Sequence, residues 1–556
     1  MSGMPGGLPT FDIEAINWTH PIAVGFFDGE EYHEFIKDNE RDDVIWRFLC
    51  YLNEYYKGFK LYAHCSSRYD SKFLLLSLCQ HDEVVEMEAG LMRLKWKTPN
   101  ILFEDSYLLV PMSLNKLGKM FGKGIKEEWE HQLTVNPWDM GDKLQIFREY
   151  LKKDCLLLSD ALFGVCEALG TNFGITPSIS LSTTSAKAFS TCFYPLRKVE
   201  SNEDYEEFIR AAVYGGRNEV YRRYGEGINQ YDVKSMFVSC YDTPVPIGKM
   251  RWVRPNINSG TLAEASVKIP KDTYIGPLPY RLYGKLIFPI GELTSWWDTR
   301  ELRYAAQLGV DVSIRRQLLC EEEPILKDFG EFVNKLRSNS HGEFWKVFGL
   351  ALSGKLGQGR WRDIVTHRSN IKDFKGLVPL DPSEEYFLGK EYVKGNAPYI
   401  KPAISMRIRS EARIRHLKII NEAYRSGEVF YCDTDSIFTT AKMPIGDRPG
   451  ELVYLGKFDK GYFIRQKLYA LLKGGKLEQR SSGFSDLKLT EEDFIELLGG
   501  KELEVETPYL PSYKKVLQDQ EFSLLGRTRK ILGELDRESR VQVGQDTEPI
   551  CLPLHT

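Results

Sequence analysis

Tyr431–Phe438, YCDTDSIF, lies inside the longer run EVFYCDTDSIFTT, where Val429, Phe430 and Tyr431 precede a short polar break and Ile437, Phe438 and Thr439 follow it. β-Branched and aromatic residues on both sides of Asp433 and Thr434 predict two strands joined by a tight hairpin. Its tip holds Asp433 and Asp435, flanked by hydroxyl residues and by no Lys or Arg within the motif. Carboxylates crowded in this way repel unless a cation lies between them, and hard oxygen donors suit Mg²⁺. Taken alone the stretch reads equally as an acidic turn, because Asp and Thr are common turn residues. A third acid shifts that balance. Ile228–Tyr241, INQYDVKSMFVSCY, is a second β-rich run with one carboxylate, Asp232, placed after an aromatic residue and before Val233.

The chain has 556 residues, more than one compact core serves, so several domains are expected. Its 42% hydrophobic and 27% charged residues are those of a soluble globular protein. With a net charge of only −4, a nucleic-acid partner would have to be met by basic residues gathered along a channel, because the global field does not attract a polyanion. The ten Cys form no CxxC pair or metal-finger spacing, which predicts reduced thiols. No apolar run is read as membrane-spanning, and the start MSGMPGGLP has neither a basic nor an apolar segment, so a cytoplasmic, unsecreted chain is expected.

Near the beginning, PTFDIEAINW alternates Phe11 and Ile13 with Asp12 and Glu14, so a strand places both acids on one face. CSSRYDSKFLLLSL sets Asp70 at the start of an apolar helix, and LQIFREYLKKDCLLLSDALF puts Tyr150 and Asp154 four residues apart on one helical face.

Taken together these motifs resemble the family B DNA polymerases, whose first palm motif is DxxSLYP and whose third is DTDS; here they stand as DVKSMFV and DTDS, in the same order. The upstream acids are similar to that family's 3′–5′ proofreading exonuclease, in which a DxE, a Tyr/Phe-Asp and a YxxxD motif follow one another. The resemblance implies that Asp12, Glu14, Asp70 and Asp154 hold two metal ions while Tyr150 orients the attacking water. Where the family has an Asn in its second motif this chain has Cys65, which puts contacts to the frayed primer strand in doubt. Lys116, in the exonuclease-like stretch Phe103–Gly122, is a further candidate there.

The same resemblance extends downstream. Tyr214, Gly215, Gly216 and Arg217 match the family's YxGG element, which implies DNA contact; Gly allows close approach to a phosphate chain. Asp232, the Val233 carbonyl and Asp435 are implied as metal ligands, with Ser235 and Phe237 at the nucleotide and Phe237 excluding ribose where the family has Tyr. LIFPIGELTSWWDTREL resembles the family's Pro-x-Gly element followed by Trp and Glu-Leu. KVFGLALSG, Lys346–Gly354, stands at the fingers motif KxxxNSxYG, keeping Lys346 and Gly354 but carrying Leu350, Ala351 and Ser353 for Asn, Ser and Tyr. Lys346 is implied to neutralise the triphosphate; upstream, Arg337 is a candidate for phosphate contact or, as an isolated cation, a solvated surface residue. RQKLYAL resembles the KxY motif, so Lys467 and Tyr469, with Thr434, are implied at the primer-template. Arg407, Arg409, Arg413 and Arg415 on an expected helix either line a DNA channel or form a solvated face.

The fold class expected is α/β (α+β multidomain): a right-hand polymerase of palm, fingers and thumb behind an N-terminal ribonuclease H-like 3′–5′ exonuclease domain. Residues 1–195 are assigned to the exonuclease domain, 196–250 to the linker with the YGG element and the first palm segment, and 251–325 to the palm remainder with a terminal-protein insertion. Residues 326–357 are the fingers, 358–402 a second insertion, 403–472 the palm with the DTDS hairpin and KxY, and 473–556 the thumb. The implied function is template-directed DNA synthesis from dNTPs with two Mg²⁺ per active site, Mn²⁺ substituting, by a monomer without membrane contact. Compact length, the YGG element and room for two insertions are most like the protein-primed branch of small phages, adenoviruses and linear plasmids, which implies a terminal-protein partner and a virus- or plasmid-encoded chain. Two alternatives stay open: a DNA-primed or primer-independent family member, and a polymerase-fold DNA-binding protein with reduced catalysis.

Overall fold

The computed structural model describes residues 7–88, 91–122, 124, 134–338, 341–393, 397–482, 487–533 and 540–553. Three sheets organise them. The first begins with the strand Thr10–Ile16, whose alternation holds in space: Phe11, Ile13 and Ala15 are buried and Asp12 and Glu14 face the other side. It pairs antiparallel with His20–Phe27, which pairs with Tyr32–Ile36, while Lys60–Ala63 and Ile101–Asp105 continue parallel on its far side. Three antiparallel strands followed by two parallel ones form the ribonuclease H-like arrangement expected here.

The long helix Lys143–Phe173 packs across Thr10–Ile16 and His20–Phe27. It is long and apolar enough to cross a membrane, by length and composition alone, which corrects the expectation that no run reaches that length. Its apolar residues Phe147, Leu151, Leu158 and Leu162 instead fill protein cores.

Two later segments join this first sheet. The strands Trp361–His367 and Tyr386–Tyr392, from the span read as a second insertion, extend it through the pairing of Val365 with Met87. Val516, Leu517 and Phe522, near the C-terminus, enter its core. The described part of the 473–556 span, expected as one thumb, is spread over several places, and within it Leu503–Tyr509 and Leu525–Ile531 pair as a sheet of their own. Lys476–Ser481 adds to the central sheet, Tyr513–Asp519 lies on the N-terminal domain, and the strands Arg540–Val543 and Asp546–Pro549 return beneath the central sheet. Apolar residues of the tail that find no core of their own are buried against cores already formed.

The central sheet has seven antiparallel strands, in the order Lys476–Ser481, Leu468–Lys473, Leu452–Arg465, Tyr224–Val233, Ser436–Thr439, Val429–Asp433 and Asn218–Val220. Beside it, Arg251–Val253, Asp311–Leu319, Leu262–Ile269 and Ile290–Asp298 form a third sheet, closed at one edge by Cys551–Leu552.

The helix Pro402–Ser426 ties the last two sheets together, starting with Pro at a position where no N–H is needed. Its arginines correct both sequence readings for two of the four positions. Arg407 is buried against Asp298 (2.5 Å) and Glu322 (2.7 Å), and Arg413 is buried against Glu301 (2.8 Å). Arg415 is half-buried and binds Asp242 and the Ser239 carbonyl. Asp298 and Glu301 come from the Trp…Glu-Leu element and Glu322 from the strand Glu322–Glu323, so that motif supplies much of the counter-charge of a buried helix. Replacing Arg407 by Ala leaves Asp298 buried without its cation, and a loss of about 3–5 kcal/mol is expected in the denaturant midpoint. A change under about 1 kcal/mol would contradict this pairing's role.

Candidate active site

The strand Tyr224–Val233 carries Asp232 near its end, and the hairpin carries Asp433 and Asp435. Register brings them together: Asp433 and Asp232 each stand opposite Ser436, and the Val233 N–H donates to the Asp435 carbonyl at 2.8 Å. The hairpin tip is strained. Thr434 has φ +60°, rare for a β-branched residue, and the Asp435 N–H folds back onto the Asp433 carbonyl at 2.6 Å.

Neighbours hold that conformation. The Thr434 N–H donates to the Arg217 carbonyl at 2.6 Å, and its side chain lies on Gly216, where an added Cβ would come within 2.7 Å of it. Gly216 is thus required by the contact with the carboxylate hairpin. The expectation that Tyr214 and Arg217 touch DNA is corrected: both side chains are buried. Arg217 lies against Glu219 and the face of Phe288, and Tyr214 donates to or accepts from Ser295 under the guanidinium of Arg281. Arg413 donates to the carbonyls of Tyr214 and Gly215, so the YGG backbone is fixed from behind.

The electrostatics identify what faces the carboxylates. Burial, then repulsion from Asp232 and Asp433, pushes the Asp435 carboxyl up to about 7, with Lys346 opposing. Burial also raises Asp232, again with Lys346 opposing. Lys346, exposed on the helix Gly342–Leu356, is the cation whose charge acts on both acids. Arg337, at the end of the helix Lys327–Leu336, donates to the Ser235 hydroxyl, and Phe237 is half-buried beside it. Ser353 is buried and bonded to the Leu350 carbonyl, whereas Leu350 is exposed one turn beyond Lys346. The Tyr431 hydroxyl accepts from the Lys467 N–H at 3.0 Å, leaving the Lys467 side chain exposed, and the Tyr469 ring packs on Tyr431.

Sequence reasoning missed His416. Burial pushes this imidazole down to about 4, so it is neutral, and Nε2 donates to the Ser436 carbonyl at 3.2 Å from beneath the hairpin. A helical His twenty residues before the strand residue that it meets gives no local signal of that contact.

A second acidic site lies in the first sheet. Asp70 is buried at its helix start and accepts from the Ile13 N–H at 3.0 Å, which locks it between Asp12 and Glu14 on the strand. Burial and Asp12 raise Asp70 well above the usual carboxylate range. Tyr150 and Asp154 are buried on the facing helix; burial, then Glu14 and Asp154, raise the Tyr150 hydroxyl. Cys155, unremarked in the sequence, is buried among them and raised by burial and then by Asp12, Asp154, Asp70 and Glu14. Cys65 takes the left-handed conformation (φ +60°) that Asn tolerates best. Lys116 turns away from this site and pairs with Glu343, on the helix that bears Lys346, at 2.8 Å.

Among the described residues no three of these groups close around one point as a ready ligand cage. The donor chemistry nevertheless fits hard divalent cations: oxygen-only side chains, crowded enough to be held partly protonated, are the groups that a cation relieves. Mg²⁺ would have to displace a proton from Asp435 below pH 7. The Mg²⁺ concentration for half-maximal activity is therefore expected to rise by about tenfold for each unit of pH below about 7 and to level off above it. A midpoint independent of pH across that range would contradict it.

A family model described as DNA polymerase type B, organellar and viral, matches residues 123–347. A probable DNA polymerase of Podospora anserina is 24% identical over 467 residues, covering 68% of this chain and 39% of its own length. The chain thus spans well under half of that fungal relative. The DNA-directed DNA polymerase of Enterobacteria phage PRD1 is 24% identical over 533 residues, covering 86% of this chain and 87% of the phage protein. In fold, Phi29 DNA polymerase complexed with primer-template DNA and incoming nucleotide superposes with a TM-score of 0.71 at 16% identity, over 95% of this chain and 100% of the other.

Proposed function

We propose that this chain is a type B DNA polymerase, that it adds nucleotides from dNTPs to a 3′ hydroxyl under template direction, and that it removes 3′-terminal nucleotides in its N-terminal domain. The observation that carries this reading is the meeting of Asp232, Asp433 and Asp435 at one end of the central sheet with Lys346 facing them. Mg²⁺ bound there would stabilise the attacking and leaving oxygens of an in-line displacement, with Mn²⁺ as a substitute. Asp232, the Val233 carbonyl and Asp435 hold the cations. Lys346 neutralises the triphosphate and protonates the departing pyrophosphate. Arg337 fixes Ser235 and adds a second positive charge at the phosphates, while Phe237 closes the space beside the sugar. Thr434, Lys467 and Tyr469 meet the primer-template, and Gly215 and Gly216 carry the backbone past it.

In the N-terminal domain Asp12, Glu14, Asp70 and Asp154 hold the cations and Tyr150 orients the attacking water. Protein priming, by a Ser, Thr or Tyr hydroxyl of a terminal protein, rests on the YGG element and the added chain at 251–325 and 358–402. There the exposed Tyr283 tips a hairpin between Tyr280–Leu282 and Lys285–Ile287.

The test is dNTP incorporation with Mg²⁺ on a DNA-primed template and, in parallel, on a candidate terminal protein with its template. Incorporation on both is expected. Incorporation on DNA alone would remove protein priming, and none on either would leave a DNA-binding protein of polymerase fold.

A further inference from the structure

The edge of the central sheet that supports the carboxylate hairpin is only three residues long, Asn218–Val220, pairing Cys432 with Glu219 and Asp433 with Asn218. A strand this short is marginal without further support. Its support comes from the far end of the chain. The Thr547 hydroxyl donates to the Val220 carbonyl at 2.7 Å, the Thr547 N–H to the Tyr221 carbonyl at 3.0 Å, and the Arg223 N–H to the Gln545 carbonyl at 2.9 Å.

Arg540 is the centre of that support and is fully buried. Its guanidinium lies between the rings of Tyr221 and Tyr274, 4.8 Å from each centroid, and donates to the hydroxyl and carbonyl of Thr547 and to the carbonyl of Tyr274. Nη1 stands 3.6 Å from Glu219 Oε1, an ion pair just beyond hydrogen-bond length. Glu219, 1% exposed, accepts on its other oxygen from Arg217 (2.5 Å) and from the Tyr221 hydroxyl (3.0 Å). Arg217 in turn gives its carbonyl to the strained Thr434 N–H between the two hairpin acids.

From this continuous buried path we propose that Arg540 is a positioning residue for Asp433 and Asp435, which makes the C-terminal hairpin Arg540–Pro549 a working part of the polymerase site; the inference rests on the proposed synthesis reaction. A buried carboxylate shared by two guanidiniums has one geometry that satisfies both, and removing one lets the edge strand and the Arg217 carbonyl shift. Carboxylates that bind cations in common need placement to within about 0.5 Å.

The experiment measures kcat and dNTP KM for primer extension in the full chain, its Arg540→Met and Arg540→Lys variants, and Val541→Ala on the exposed side of the same hairpin. Mn²⁺ affinity is measured by electron paramagnetic resonance in an Asp12→Ala/Asp154→Ala background, so that only the polymerase carboxylates are read. Arg540→Met is expected to lower kcat and Mn²⁺ affinity by about 10–100-fold with KM for dNTP within about twofold, Arg540→Lys to recover part of both, and Val541→Ala to match the parent. Parent-like kcat and Mn²⁺ affinity in folded Arg540→Met would overturn the inference. So would a loss of extension and 3′-end degradation together that Arg540→Lys does not relieve, since that marks unfolding and not positioning. If the parent itself extends nothing, the synthesis reading falls, and Mn²⁺ affinity in Arg540→Met, with its partial recovery in Arg540→Lys, still decides whether the acids are positioned from the C-terminus.

Discussion

Asp435→Asn is expected to abolish primer extension and, at the same time, to stabilise the cation-free protein. The two effects have one cause. Asp435 is buried beside Asp232 and Asp433, which raises its carboxyl to about 7 from an ordinary value near 4. A carboxyl raised on folding binds its proton more tightly in the folded chain. The fold therefore carries no penalty below the unfolded value, a growing one between about pH 4 and 7, and the full penalty above 7. Three units correspond to about 4 kcal/mol, and partial exposure to water reduces this to about 2 kcal/mol. With EDTA at pH 8 the Asn variant should thus melt higher than the parent, the gap closing as pH falls toward 4. Extension should fall by at least about 1000-fold, about 4 kcal/mol of barrier, because an amide neither carries the charge nor replaces it as a cation ligand. A variant that extends primers within tenfold of the parent would remove Asp435 from the reaction.

The second large effect concerns the N-terminal site. Asp12→Ala should reduce degradation of a 3′-labelled single-stranded oligonucleotide, without dNTPs, by at least about 1000-fold, while extension on a primed template stays within about twofold. The separation follows from the architecture: Asp12 lies in the first sheet, and the carboxylate hairpin in another. The same substitution removes the charge that helps to raise Asp70, so Asp70 should titrate lower in the variant than in the parent, observable by carboxyl NMR. Loss of both activities at once would mean that the two sites are not independent.

Much of the candidate chemistry was legible in the sequence because it rests on short periods. Period-two alternation in TFDIEAI put Asp12 and Glu14 on one face, four-residue spacing put Tyr150 and Asp154 on one side of a helix, and two β-rich halves around Asp433 and Thr434 made a hairpin. The family resemblance supplied the order of the acids and the right-hand fold. Less legible was what a charge would be paired with. Arg217, Arg407 and Arg413 read as DNA-facing or solvated cations, yet each is buried on a carboxylate, Arg217 on Glu219 two residues away and the other two on acids of the segment 298–322, far away in sequence. His416 and Arg540 carried no local pattern at all.

Local sequence by itself determined which residues are acidic, how they are spaced, and which face of a strand or helix each takes, since these depend on backbone geometry within a few residues. Only the tertiary structure decided which acids share a site, how strongly they repel, and which cations are withdrawn from solvent to hold the backbone. Those properties depend on distance and on the exclusion of water, and both are set by chain segments hundreds of residues apart, as Arg540 beneath Glu219 illustrates.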